Sequence, residues 1–168
     1  MAARLPGEAP VQPDGSASRR RYLRTMARTG APHGRIRHML NAAMIAALRR
    51  GLGPPHIRLL ETRGRRTGAV HTTPVSLVEG NDGRFLVSPY GTPGWVHNAR
   101  AAGEVTLRKG RDAQTLPVTE LDADAAAPIL KRYVGQERVV RPWFDARPDA
   151  PEASFVAEAA RHHVFRLG

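Results

Sequence analysis

The sequence predicts a mainly β chain of the α+β type, a small antiparallel barrel or sandwich preceded by one helix. Three observations carry the prediction. Beyond Pro54-Pro55 the chain becomes a series of short extended runs separated by turn residues. Gly80-Asn81-Asp82-Gly83 joins two of those runs with the residue types that tight hairpin turns require. Helical periodicity falls at the two ends, over Ile36 to Leu48 and again after Asp122.

Residues 1 to 18, with Pro6, Gly7, Pro10, Pro13, Gly15 and Ser16, read as a disordered leader, leaving residues 19–168 as a single domain. Ile36, Met39, Leu40, Ala43, Met44, Ala47 and Leu48 recur at three- and four-residue spacing, and Gly51 is a natural stop. The spacing predicts a basic helix over about residues 35–50 with one apolar face, expected to pack against the barrel. Arg35, Arg37, Arg49 and Arg50 at its ends leave open a peripheral contact with an anionic membrane. Ile57 to Thr62 is the first strand and Val70 to Glu79 the second. Pro74 within the second implies an edge or a bulge, because proline cannot donate to a ladder. Phe85 to Ser88 completes a hairpin, and Glu104 to Lys109 with Thr115 to Leu121 form another pair around Gly110 to Ala113. Asp122 caps a helix that runs through Tyr133 and ends at Gly135, with Pro128 limiting its first turns. A helical stretch over Phe155 to Arg161 leads into a closing strand, His163 to Leu167. There is no internal repeat.

Composition excludes several classes. Cysteine is absent, which removes disulfides, Cys-based zinc sites and thiol nucleophiles. The seven histidines are scattered and no His-Glu-x-x-His occurs, so no metal site is expected. Thr67-Gly68 lacks the lysine and leading glycine of a phosphate-binding P-loop. No run approaches the roughly 20 apolar residues of a membrane span, and Arg19-Arg20-Arg21 is not followed by the apolar core of an export signal. A cytoplasmic protein is expected. The net charge of +11 is uneven: residues 1–68 hold 14 Arg/Lys against three Asp/Glu, and residues 69–168 hold 12 against 12. That distribution argues against a general nucleic-acid binder and for one or two acidic partners met on one side.

The richest local signal is Thr62-Arg63-Gly64-Arg65-Arg66-Thr67-Gly68, a Gly-bounded turn between two strands. Glycine permits the turn, and two adjacent arginines offer permanently charged donors that match phosphate or carboxylate. It reads as an anion clamp. Downstream, Thr72-Thr73-Pro74-Val75, Ser88-Pro89-Tyr90-Gly91 and Trp95-Val96-His97-Asn98 each fall at a strand end or loop, where a barrel carries its binding residues. Taken singly, the arginines have a lesser reading as solvated turn charges, whereas Trp95 reads equally as core packing and Asn98 as a cap or turn former.

In this order, Thr-x-Gly-Arg-Arg-Thr-Gly, then Thr-Pro, a hairpin and Trp-x-x-Asn, the chain resembles the deazaflavin-dependent nitroreductase family, whose members are F420H2-dependent quinone and nitro reductases. The resemblance covers about residues 35–121 and more loosely the last third. It implies an FMN-binding-like split β-barrel and an actinobacterial origin. It also implies that Arg65, Arg66, Thr67 and Gly68 hold the phosphate and polyglutamate tail of F420. By the same resemblance His71, Thr72, Thr73, Pro74, Val75 and Ser76 border the deazaflavin ring, Ser88, Tyr90 and Gly91 lie near it, and Gly94, Trp95, Val96, His97 and Asn98 fix its other side. Ser88, Tyr90 and Tyr133 are the candidate hydroxyls that donate to a small-molecule acceptor. Two departures bear on that acceptor: the loop between Ser88 and Trp95 is short and lacks a lysine often found there, and Val96 replaces an aromatic residue. FMN in the same fold is the alternative cofactor, and a non-catalytic F420 or lipid carrier the alternative function. The oligomeric state is left open.

Overall fold

The computed structural model describes residues 32–168, of which residues 36–168 gather into one unit; the leader expected over residues 1–18 and Arg19-Arg20-Arg21 lie outside the described residues. Helix α1, Pro32–Arg49, begins with proline, whose missing N–H is harmless in a first turn. The expectation that α1 packs along the barrel is corrected over residues 41–48. There Leu48 is fully buried, Ile45 to Ala47 are half-buried, and Met44 with the residues before it is exposed. The attachment of this stretch is local to its end. Gly110 N donates to Leu48 O at 2.8 Å, and a Cβ on Gly110 would lie 3.2 Å from Gly51 Cα, so the chain crosses itself where neither residue has a side chain.

Strands β1, Ile57–Arg63, β2, Val70–Gly80, and β3, Gly83–Ser88, follow in antiparallel order. Helix α2, Gly94–Ala102, precedes β4, Glu104–Lys109, and β5, Asp112–Glu120. The turn before β5 is tighter than expected, since Asp112 to Gln114 already pair with Leu107 to Lys109. Helix α3 spans Ala123–Gln136, capped by the Asp122 carboxylate accepting from Ala125 N at 2.9 Å. It continues through Gly135, which the sequence marked as its end, and through Pro128. A 3-10 segment, Arg138–Trp143, a short helix α4, Ala153–Val156, and a second 3-10 turn, Ala157–Ala160, lead into β6, His163–Leu167.

The six strands close in the order β1-β2-β3-β6-β5-β4. Two of them divide their pairing. β2 pairs with β1 over Val70 to Ser76 and with β3 only over Leu77 to Gly80, while β5 pairs with β4 over Asp112 to Pro117 and with β6 over Val118 to Glu120. This is a split β-barrel. Its interior holds Leu60, Val75, Leu77, Leu86, Val105, Leu107, Leu116 and Phe165, with Trp95, Val96 and Ala99 of α2 inserted at one end. A second cluster joins the outer face of β3 to α3 and α4 through Phe85, Val87, Ile129, Leu130, Tyr133 and Phe155. Phe85 to Ser88 are therefore buried on both faces, which is why they read as an unbroken run rather than an alternation.

Candidate active site

The Arg turn joins β1 to β2 at the end of the barrel that α2 plugs. Gly64 N donates to Ala69 O and Gly68 N to Gly64 O, both at 2.7 Å, which folds residues 64–69 tightly. Gly68 takes φ +70°, a conformation that favours glycine, and a Cβ on Gly64 would lie 3.1 Å from Ala69 O and 2.9 Å from the exposed His71 ring, so a side chain there would crowd the turn. Thr67 Oγ1 accepts from Ala69 N at 3.3 Å, so the threonine shapes the turn. The side chains of Arg63, Arg65 and Arg66 are exposed, and among the described residues no carboxylate pairs with any of them.

Asn98 fixes one of these cations. It is 5% exposed, its Oδ1 accepts from Arg65 N at 3.3 Å and Arg65 Nη1 at 3.4 Å, and its Nδ2 donates to the buried Thr62 hydroxyl at 3.4 Å. Asn98 thus reaches the clamp from α2, an element that the sequence reading treated as loop. Thr62 was visible only as the first letter of the turn motif; its burial at a strand end is a property of the closed barrel.

Beside the turn, the upper half of β2 pairs with β1 alone, which leaves its other edge without a strand partner. Leu77 N donates to His56 O on the β1 side. Main-chain groups alternate along a strand, so Thr73 and Val75 also face β1, while Thr72, Pro74 and Ser76 turn theirs toward the side where no strand pairs. Pro74 therefore lacks its N–H where none is needed for the ladder, in agreement with the edge expected from the sequence. The lower end of this open edge is tied to the end of α3: Ser76 Oγ donates to Glu137 Oε1 at 2.5 Å, Gln136 Nε2 donates to Ser76 Oγ and Leu77 O at 3.0 Å, and His56 Nε2 lies 3.2 Å from Glu137. On the loop after β3, Tyr90 packs edge-on to Trp143 with ring centres 5.0 Å apart.

Of the expected site residues, the structure brings Arg65, Thr67, Gly68, His71 and Asn98 together at the turn, sets Thr72, Pro74 and Ser76 with their main-chain groups toward the unpaired edge of β2, and leaves Tyr90 exposed on the loop after β3. Others are placed inside. Val75, Trp95 and Val96 belong to the barrel interior, where Trp95 tilts against Phe165 at 5.6 Å. Ser88 is fully buried and donates to Gly91 O at 2.7 Å. Tyr133 is 4% exposed and packs on Phe144; burial, then the neighbouring Tyr90 and Glu137, push its ionisation well above the ordinary tyrosine value. Gly94 opens α2, Thr73 is half-buried on the inward side of β2, and His97 and Arg66 are exposed.

The family described as F420H(2)-dependent quinone reductase matches residues 26–147. The chain belongs to that family. Membership makes it an F420H2-dependent reductase and implies reduced F420 as its hydride donor. No curated protein sequence matches it. Among solved structures, one described as a domain-swapped dimer shares 17% identity at TM-score 0.51, covering 82% of this chain and 100% of its own. An F420-H2 dependent reductase shares 20% at TM-score 0.46, covering 68% and 95%. A putative pyridoxamine 5'-phosphate oxidase from Listeria innocua shares 12% at 0.44, covering 77% and 92%.

The residues of this reductase fit its cofactor class. A polyanionic tail requires cations not neutralised by carboxylates, which Arg63, Arg65 and Arg66 provide, and a flat polar ring can meet main-chain groups left without a strand partner, which Thr72 and Ser76 turn to the open edge of β2. Among the described residues no group of three or more His, Asp or Glu could hold a metal ion, and no helix is long and apolar enough to cross a membrane.

Proposed function

We propose that the chain reduces quinone-like, nitro or other conjugated acceptors, holding the F420 tail at Arg65 and Arg66 and the ring against β2 between Thr72 and Ser76. The observation that carries the reading is the pair of arginines without carboxylate partners, one tethered by buried Asn98, beside a strand edge left open by the split pairing. Bound F420H2 supplies a hydride, so the chain's part is to bind, orient and receive developing charge, and no protein nucleophile is needed. Arg65 and Arg66 anchor by charge-assisted contacts worth about 1.5 to 3 kcal/mol each. The open edge of β2 contributes main-chain hydrogen bonds that any flat amide-like heterocycle can meet.

The test is a fluorescence titration with F420 and separately with FMN, followed by F420H2 oxidation with menadione. Tighter binding of F420 and turnover with the quinone are expected. Preference for FMN would assign the site to a flavin and overturn the role given to the two arginines.

A further inference from the structure

A second group of chemistry-bearing side chains lies at the same end of the barrel, on the far side of α2 from the Arg turn. Thr92 Oγ1 lies 2.8 Å from His163 Nε2. His163 Nδ1 lies 3.0 Å from Glu120 Oε1 and 3.1 Å from Arg100 Nη2, and Arg100 grips Glu120 through two contacts of 2.6 Å. Thr92 is exposed, whereas the His163 side chain keeps 15% and that of Glu120 29% of its accessible surface. A hydroxyl open to solvent is thus joined to an imidazole whose other nitrogen faces a carboxylate. Thr92 stands two residues beyond Tyr90 on the loop after β3, and His163 pairs across strands with Ser88, where that loop begins. Of the other hydroxyls expected to serve an acceptor, Ser88 donates inward to Gly91 O and Tyr133 is buried, while Tyr90 is exposed on the same loop as Thr92 and packs against Trp143.

We propose that Thr92 and His163 form the proton relay that serves the acceptor, an inference that rests on the reductase function proposed above. An acceptor that gains a hydride gains two electrons and develops negative charge on oxygen. Thr92 gives its hydroxyl proton to that oxygen, forming the acceptor O–H bond. Its own O–H is restored from His163 Nε2–H, and the imidazole, left neutral with Nδ1–H on Glu120, is recharged from solvent. Thr92 is the residue that touches the acceptor; His163 acts through it, and Glu120 and Arg100 position the ring. The groups facing His163 are Arg100 on α2, Glu120 on β5 and His162 beside it. Burial and then Arg100 hold its protonation below the ordinary histidine value, and Glu120 opposes them in part. The charged, proton-giving form therefore grows as pH falls through that lowered value.

The experiment compares wild type, Thr92→Val, Thr92→Ser and His163→Gln. It measures kcat/KM for menadione between about pH 5 and 8, the solvent deuterium isotope effect, the F420 dissociation constant and, in cofactor-free protein, the His163 imidazole titration by 15N NMR. Thr92→Val and His163→Gln are expected to lower kcat/KM by about tenfold to a hundredfold, to remove its rise toward acid pH and the isotope effect, and to leave F420 affinity within about twofold of wild type, far less than losing one arginine contact would cost. Thr92→Ser keeps the profile, and Thr92→Val displaces the His163 titration. A Thr92→Val variant with wild-type pH profile, isotope effect and titration overturns the relay while leaving the reductase reading intact. Thr92 is exposed, so this variant decides the matter even where His163→Gln fails to fold. Wild type that binds no F420 and oxidises no F420H2 overturns the reductase reading and the relay with it.

Discussion

Asn98 touches Arg65 twice and Thr62 once and is buried, so Asn98→Ala separates the positioning of a charge from the charge itself. The three contacts are long, 3.3 to 3.4 Å, and each falls at the weak end of about 0.5 to 1.5 kcal/mol net. Their joint loss, with the Thr62 hydroxyl left buried, is expected to cost about 1 to 3 kcal/mol of stability. For binding, the variant retains both guanidinium charges and loses only the immobilisation of one, about 0.5 to 1.5 kcal/mol, or roughly twofold to tenfold in F420 affinity. Arg65→Ala removes a charge-assisted contact and is expected to cost about 1.5 to 3 kcal/mol, more than tenfold. Salt distinguishes the two in a fluorescence titration: Asn98→Ala preserves the slope of affinity against ionic strength, and Arg65→Ala reduces it. Asn98→Asp sets a carboxylate against Arg65 and is expected to bind more weakly than Asn98→Ala. A larger loss in Asn98→Ala than in Arg65→Ala would show that Asn98 contacts the cofactor directly and refute the positioning role.

Replacing Arg65 and Arg66 together by Ala should weaken F420 by a hundredfold or more at about 2 kcal/mol per contact while leaving the melting temperature near wild type, because neither side chain is buried; a thermal scan beside the titration checks both. Trp95→Phe should lower stability by about 1 to 2 kcal/mol and leave the F420 dissociation constant of the folded protein unchanged, since Trp95 packs inside the barrel. Glu158 is buried, and His162, the N–H groups of Asp145 and Ala146, and Arg161 hold its carboxyl below the ordinary value even though burial, the largest single influence, acts the other way. Its contribution is therefore fully present above the unfolded value of 4.5 and lost as pH falls through the lower folded one. Glu158→Gln should destabilise by about 2 to 4 kcal/mol at neutral pH, and denaturant melts at descending pH should show the gap to wild type closing in acid.

The strands were legible because their punctuation is chemical: Pro54-Pro55, Gly80 to Gly83 and Gly110 each force a local geometry whatever surrounds them. Helix α2 was not, because Gly94-Trp95-Val96-His97-Asn98 carries poor helix formers and an N-cap, Pro93, that makes no side-chain hydrogen bond. What holds it is the burial of Trp95, Val96 and Ala99 in the barrel mouth, a tertiary fact. The apolar spacing of α1 was read correctly as helix, but periodicity reports a face and not what covers it. Within the site, the Arg turn could be read from composition alone, whereas the chain from Thr92 to His163 to Glu120 joins residues 71 and 43 positions apart and exists only once β5 and β6 pair.

The divided pairing of β2 has a bearing on how copies of this chain behave toward one another. A strand with one unsatisfied side is a template on which a second molecule can add its own strand, and the upper half of β2 is such a side. Pro74 stands in the middle of that stretch with no hydrogen to offer, so a continuous intermolecular ladder would be interrupted there. The same residue that borders the ring in the proposed site thereby discourages a neighbouring polypeptide.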